Sequence, residues 1–239
     1  MDMINKEKIS TICSFTSGNS INEKIKREKY SISREGLPFI ATKDVSLDGN
    51  IDYNNGVNIT NDDLDKYNLA QENSTLLCIE GGSAGKKIAF SPKPCFTGNK
   101  LLSIKSKIKE LDNKYLYYFI LSKHFKEKFN DQLKGLIGGV GKNKIKNFEI
   151  FYPEKKIQEK VVSKLDKISE NIDKIFNKIK KNKKNINSLL SKSIDEIFSK
   201  INTKVNEDKL INLCEKKRII TYGIIKKGKE DPNGIYCLR

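Results

Sequence analysis

The chain of 239 residues has no tryptophan, one histidine and five cysteines. The cysteines are odd in number, widely separated and without a Cys-x-x-Cys pair: Cys13, Cys78, Cys95, Cys214 and Cys237. This spacing argues against a disulfide framework and against a zinc ribbon, and it indicates a reducing compartment. The single histidine, His124, lies in an apolar-rich run, and we predict that it is a packing or surface residue of a helix.

Long apolar runs and an excess of acidic residues are also missing. No run of 18 apolar residues occurs, and the start, MDMINKEKIS, does not resemble a signal peptide. We therefore expect a cytoplasmic protein without a membrane partner. Lys and Arg number 46 against 30 Asp and Glu, which gives a formal net charge of +16. Such an excess favours a polyanionic partner, most commonly nucleic acid, with a lysine-rich compositional bias as the alternative.

Catalytic motifs are absent as well. Amino-methyltransferases carry a [DN]-P-P-[YF] loop for the target base, and the nearest match here, DPNG at 231–234, lacks the second proline and the aromatic residue. Acidic residues are scattered, without the spaced pair followed by Lys that many nucleases use. One histidine gives little support to a Ser-His-Asp set. We expect a non-catalytic chain with no metal site and no cofactor of its own.

One segment, IEGGSAGKKI at 79–88, places three glycines and two lysines between apolar residues. A phosphate-binding P-loop requires Gly, four residues, and then Gly-Lys-Ser/Thr. Counting back from Gly85, the first glycine position holds Glu80, and the hydroxyl position holds Lys87. The segment therefore predicts a tight turn between two strands, with glycines at positive φ, rather than a nucleotide site.

Residues 1–153 show short strand-like runs separated by turn residues. Strands are predicted at STLLCIE, KKIAFS and NKLLSIKS, with a short helix beginning at Thr60. A longer helix is predicted over 110–132, followed by a hairpin-like segment, GLIGGVGKNKI, at 135–145. The pattern indicates a globular, β-rich domain of the α+β class.

Residues 154–204 have a different character, with no proline or glycine between Pro153 and Gly223. Apolar residues recur at alternating spacings of four and three, which predicts a coiled-coil-forming helix. A helix of 46 residues would be about 70 Å long. Asn182 interrupts the apolar seam and would fix its register. We assign these seam residues to contact with a partner helix: Ile157, Val161, Leu165, Ile168, Ile172, Ile175, Ile179, Ile186, Leu189 and Ile197.

The last segment, 205–239, repeats the beginning of the chain. KLINLC at 209–214 matches KISTIC at 8–13, and TYGI then parallels TSGN. NGIYCLR at the end parallels EGLPFIA near residue 35. Three matches in the same order predict that the helix is followed by the truncated start of a second copy of the first domain.

Four stretches, taken in order, carry a resemblance to a known family: GLPFIATKDVSLDGNIDYNNGVNIT, LLCIEGGSAGKKI followed by FTGNKLL, GLIGGVGKNKIKNFEIFYP, and PEKKIQEKVVSKLDKI. They resemble the specificity subunit of type I restriction-modification systems. The first three are similar to parts of its target recognition domain. The fourth is similar to the passage into its conserved-region helix, whose pattern is occupied here by Pro153, Ile157, Gln158, Val161, Val162, Leu165 and Asp166. Glu154 replaces the second proline usual in that passage.

The resemblance implies a DNA-recognition role without catalysis. Residues 1–153 would read one half of a bipartite target in double-stranded DNA. The helix would dock the modification (methyltransferase) subunit. S-adenosylmethionine, ATP and magnesium would belong to that subunit and to the restriction (motor-nuclease) subunit. Self-dimerisation through the helix would place two identical domains on an inverted site.

Within that expectation, nine residues are candidates for DNA contact. Lys86 and Lys87 in the glycine-rich turn would neutralise phosphates. Base reading requires side chains with hydrogen-bond donors and acceptors in loops. The candidates of this kind are Thr42, Lys43, Asn99, Lys100, Lys142, Asn143 and Lys144. The alternatives left open are a coiled-coil adaptor whose globular domain binds protein, and an inactive truncated remnant of a specificity subunit.

Overall fold

The computed structural model of the chain describes residues 4–31, 35–133 and 138–200, together with Lys209, Asn212 and Cys214. The chain divides into two compact units, residues 1–174 and 175–239. The described strands are β1 (Asn5–Lys8), β2 (Cys13–Ser17), β3 (Leu37–Ile40), β4 (Asn58–Ile59), β5 (Leu69–Ala70), β6 (Ser74–Cys78), β7 (Ile88–Ser91), β8 (Cys95–Thr97), β9 (Leu101–Ser106) and β10 (Glu149–Tyr152). The described α-helices are α1 (Ile9–Ile12), α2 (Glu23–Ile25), α3 (Asn113–Leu121), α4 (Lys123–Asp131), α5 (Lys142–Lys146) and α6 (Lys155–Lys200).

Two four-stranded sheets form the centre of the first unit. One is antiparallel, with the strand order β2-β9-β6-β7. The other has the order β4-β3-β8-β5, and β3 and β8 pair in parallel within it. A separate antiparallel pair joins β1 to β10, so the two ends of this domain meet. The α+β class predicted from the sequence is confirmed.

Strand β6 is buried along its whole length because both of its faces are covered. Leu77 belongs to a core that also contains Leu102 on β9 and Leu116 on α3. Its neighbour Leu76 belongs to a second core with Ile40 and other side chains of the mixed sheet. Successive side chains of a strand point to opposite faces, so an uninterrupted apolar run is what a strand between two cores requires.

The helix predicted over 110–132 is two helices, and the prediction of one continuous helix is wrong. Ser122 has extended backbone angles, φ −64° and ψ 155°, which separate α3 from α4. Its hydroxyl accepts a hydrogen bond from the amide of Phe125 at 3.3 Å, as an N-cap does. The helical spacing of apolar residues continues through the break, which is why the periodicity did not show it.

The hairpin predicted over 135–145 is also wrong in its second half, where Lys142–Lys146 form helix α5. Gly139 pairs instead with Glu80, in the glycine-rich turn after β6. Residues 134–137 lie outside the described residues, as do the positions from 201 onward apart from Lys209, Asn212 and Cys214. The predicted second domain copy over 205–239 is therefore almost entirely outside them.

The predicted long helix is present as α6, Lys155–Lys200. Most of its seam side chains remain exposed, and Ile172, Ile179 and Ile186 are 47, 57 and 63 % accessible. Within the described part of the chain, no helix combines the length and apolar character that a membrane crossing needs.

Candidate nucleic-acid interface

The glycine-rich turn between β6 and β7 is closed by its own backbone. Gly81 and Gly85 have positive φ angles of 79° and 71°. The amide of Ala84 donates to Gly81 O at 2.9 Å, and the amide of Gly85 donates to Cys78 O at 2.8 Å. Since these amides are used within the turn, they are not available to surround a phosphate in the manner of a P-loop. The predicted tight turn with positive-φ glycines is confirmed.

Four of the nine candidate residues line one depression of about 310 Å³. Thr42 and Lys43 come from a 3₁₀ turn after β3, and Asn99 and Lys100 come from the loop between β8 and β9. The parallel pairing of β3 with β8 brings these two loops side by side. Polar loop residues distant in sequence thus share one concave surface.

A second depression, of about 400 Å³, continues this surface on the other side of Lys100. It is lined by Lys100, by Glu80 and Gly81 of the glycine-rich turn, and by residues 138–141 before α5. The amide of Val140 donates to Ile79 O at 2.9 Å, and the amide of Ile79 donates to Lys100 O at 2.9 Å. Loops at 42–44, 80–87, 98–100 and 138–144 therefore form one contiguous surface, which we call the loop surface.

Two of the candidate lysines hold the loop surface together. The half-buried Lys87 donates to the carbonyl oxygen of Thr42 at 2.8 Å. The half-buried Lys142 donates to the hydroxyl of Ser17, at the end of β2, at 3.0 Å. Each ammonium group thus bridges two segments that are far apart in sequence.

The other candidate lysines are more exposed. The side chains of Lys43 and Lys100 are exposed at the rim of the first depression. Lys86 is also exposed and donates to Gly82 O within its own turn at 3.2 Å. Asn143 is exposed and Lys144 half-buried, both on the short helix α5. These positions stay predictions as DNA contacts.

Segment 17–26 also belongs to this surface, although the candidate residues did not include it. Asn19, Ser20, Glu23 and Lys26 line the first depression. The ammonium of Lys26 lies 2.6 Å from the Glu23 carboxylate and 5.1 Å from the centre of the Phe39 ring. The hydrogen bond from Lys26 lowers the pKa of Glu23 below its ordinary value. The turn residues Ser17, Gly18 and Asn19 were the signal for this loop.

Gly18 brings segment 17–26 into contact with the loop after β8. A methyl group built on Gly18 would lie 2.0 Å from the carbonyl oxygen of Gly98. The amide of Asn19 donates to Thr97 O at 2.7 Å, next to that contact. Only a residue without a side chain fits this crossing, so Gly18 determines how closely the two loops approach.

No metal-ligating cluster accompanies the surface: across residues 4–31, 35–133 and 138–200, no three His, Cys, Asp or Glu side chains are placed to hold an ion.

The model of one protein family, the type I restriction modification DNA specificity domain, matches residues 2–187. The chain belongs to this family. The resemblance to the specificity subunit that the sequence indicated is confirmed. The role of the specificity domain is the recognition of DNA. No significant match was found among curated proteins.

Solved structures show the same fold as this specificity domain. The S subunit of a type I restriction-modification system from M. genitalium matches with a TM-score of 0.56 and 22 % identity, over 82 % of this chain and 48 % of that one. The HsdS subunit from Thermoanaerobacter tengcongensis matches with a TM-score of 0.53 and 16 % identity, over 71 % and 38 %. A chain from a type I R-M system, described for its complex assembly and conformational transition, matches with a TM-score of 0.53 and 16 % identity, over 72 % and 40 %. The specificity domain thus spans less than half the length of these chains.

Proposed function

We propose that this specificity domain reads one half of a bipartite DNA target through the loop surface and docks a modification subunit through α6. The observation that carries the proposal is the first depression, where Thr42, Lys43, Asn99 and Lys100 meet around one concave surface. Asparagine and threonine donate and accept, and lysine donates, the hydrogen bonds by which base edges in the major groove are recognised. The exposed Lys43, Lys86 and Lys100 also supply positive charge for the contacts to phosphate that position a protein on a duplex.

The exposed seam of α6 supports the docking part of the proposal. A row of large apolar side chains at heptad spacing is stable in water only when another helix covers it. The cover is a helix of the modification complex, or a second copy of this chain. Methyl transfer and DNA cleavage then take place in partner subunits, which bind S-adenosylmethionine, ATP and magnesium.

The methylome of a methylation-free host tests this function. The chain is co-expressed with its modification subunit, and modified adenines are mapped across the genome. We expect a bipartite motif that disappears when the chain is omitted. An inverted repeat of one half-site indicates pairing of two copies of the chain. A soluble complex without any motif contradicts the proposal and favours an adaptor or an inactive remnant.

Seam variants separate docking from DNA reading. Ile172→Asp with Ile179→Asp places two charges on the seam, and we expect complex formation and methylation to be lost together. The matched control is Asn177→Asp with Ser188→Asp, which adds the same charge on exposed positions of α6 away from the seam. Equal loss in both variants would contradict the assignment of the seam to docking.

A further inference from the structure

One attachment between α6 and the globular part of the first unit is the side chain of Gln158, which is fully buried. Its Oε1 accepts a hydrogen bond from the amide of Asp112 at 2.9 Å. Its Nε2 donates to Glu110 O and to Pro153 O, both at 2.8 Å. Both hydrogens and the oxygen of this buried amide are engaged, so a shift of Gln158 would leave buried polar groups unpaired. The side chain therefore holds α6 against the loop before α3.

A second attachment lies two turns further along α6. Asp166 accepts hydrogen bonds from Lys114 Nζ at 2.7 Å and from Tyr118 OH at 2.5 Å, both on α3. Burial raises the pKa of Asp166, but these two hydrogen bonds outweigh it and lower the pKa below its ordinary value. Asp166 is therefore ionised at neutral pH and bound by a cation and a hydroxyl at the same time.

Together, the two attachments fix a direction as well as a position. Gln158 and Asp166 are eight residues apart, which is about 12 Å along an α-helix. A helix held at one point can pivot about it, whereas a helix held at two separated points cannot tilt without breaking one of them. Helix α3 and the loop that precedes it therefore orient the first turns of α6.

Small changes of that orientation matter at the scale of DNA. Over about 40 Å of straight helix, a tilt of about 5° displaces the far end by about 3.5 Å. This displacement is sideways to the helix, and the part of it that lies along the DNA axis changes the distance between the half-sites, where one base pair occupies about 3.4 Å. A joint that permits such a tilt would permit a second half-site to be read one base pair closer or further away.

We propose that Gln158 and Asp166, with Lys114 and Tyr118, form a joint that restricts the spacer length accepted between the two half-sites of the DNA target. They act as positioning residues, since they touch the helix and the domain rather than DNA. This inference rests on the proposed function, in which this domain reads one half of a bipartite target and α6 makes the contact with a partner helix.

The test releases the joint without altering α6. Lys114→Met with Tyr118→Phe removes both partners of Asp166 and leaves the sequence of the helix and its seam unchanged. The matched control is Tyr115→Phe with Lys123→Met. Tyr115 also lies on α3 but donates to Phe151 O, and Lys123 pairs with Glu127. The control therefore makes the same two chemical changes away from α6.

The methylome with the modification subunit gives the decisive readout. We expect one spacer length for the unaltered chain and for the control. The Lys114→Met/Tyr118→Phe variant should keep both half-site sequences, lose several-fold in methylation at the original spacer, and gain sites whose spacer differs by one base pair. A variant that is only less stable would lose methylation without any new spacer. That result, or an unchanged spacer at full activity, overturns the inference.

Hydrogen exchange separates failure of this inference from failure of the proposed function. Amides in 155–168 and in 108–118 should exchange several-fold faster in the variant than in the control, while those of β6 stay unchanged. Absence of any motif for the unaltered chain refutes the proposed function, and the spacer proposal that rests on it. Unchanged exchange in the variant overturns the joint itself, whatever the methylome shows.

Discussion

Replacing the exposed lysines of the loop surface should change how strongly DNA binding depends on salt. Lys43, Lys86 and Lys100 are exposed, and an exposed ammonium group is able to meet a phosphate. Each phosphate contact contributes about 0.9 to the slope of log K against log salt. If each lysine meets one phosphate, Lys43→Gln/Lys86→Gln/Lys100→Gln should reduce the slope by about 2.7. Between about 50 and 200 mM salt, the affinity of the unaltered chain for DNA should therefore fall about 40-fold more than the affinity of the variant.

Lys87 and Lys142 provide the contrast because their ammonium groups already donate to Thr42 O and to the Ser17 hydroxyl. Lys87→Gln should therefore change the slope by less than Lys86→Gln, although both remove one charge from the same turn. The loss of the bridge between two loops should instead weaken methylation of the cognate motif. This difference follows from burial and from the partner of each ammonium group, since Lys86 is exposed and donates only within its own turn, whereas the half-buried Lys87 donates to another loop.

Fluorescence anisotropy with a random-sequence duplex of about 30 base pairs measures the slopes without knowledge of the target, because non-specific binding is largely electrostatic. Lys107→Gln/Lys109→Gln/Lys123→Gln removes the same charge from exposed positions outside the loop surface. An equal reduction of slope in that control would show that only net charge matters. Equal slopes for Lys86→Gln and Lys87→Gln would refute the distinction between phosphate contacts and bridging lysines.

Two further predictions concern stability. Gly18→Ala should destabilise the fold by about 1–3 kcal/mol, which lowers Tm by about 2–12 °C, because the new methyl group meets the Gly98 carbonyl. The control is Gly82→Ala, whose methyl group would have no neighbouring atom within 4 Å and should change Tm little. Calorimetry measures both. Hydrogen bonds from Lys29, Lys66 and Tyr30 lower the pKa of Asp63 far below its ordinary value, so its stabilising contribution is present above about pH 4 and is lost as the pH falls further. The Tm difference between the unaltered chain and Asp63→Asn should therefore shrink on acidification from pH 7 toward pH 3, and a constant difference would contradict the role of Asp63 ionisation.

Local patterns in the sequence were sufficient for much of the fold. The strands on either side of the glycine-rich turn and the positive φ angles of Gly81 and Gly85 followed from residue types within a few positions. The long helix followed from heptad spacing without proline or glycine. These features depend on interactions between near neighbours, which is the information that periodicity and turn chemistry carry.

The arrangement of the loop surface depends on contacts between distant residues. The bond from Lys87 to Thr42 spans 45 positions, and the one from Lys142 to Ser17 spans 125. From the sequence, Lys87 was predicted to neutralise phosphate and Lys142 to read bases from a loop, but their bridging role requires the tertiary structure. The crossing at Gly18 was missed for the same reason, since its partner Gly98 is brought there by the sheets.

The two attachments of α6 and its apolar seam use neighbouring faces of the same helix, and the exposure of the seam side chains makes their functions compatible. At 3.6 residues per turn, Gln158 and Asp166 lie within about a quarter turn of each other. The seam residues Val161, Ile168 and Ile172 lie on the other side of Gln158, about 40–80° around the helix from it, and they are exposed while Gln158 is buried. A partner helix can therefore cover the seam without displacing α3, because the bonds that orient α6 and the contacts that would dock it do not compete for the same surface.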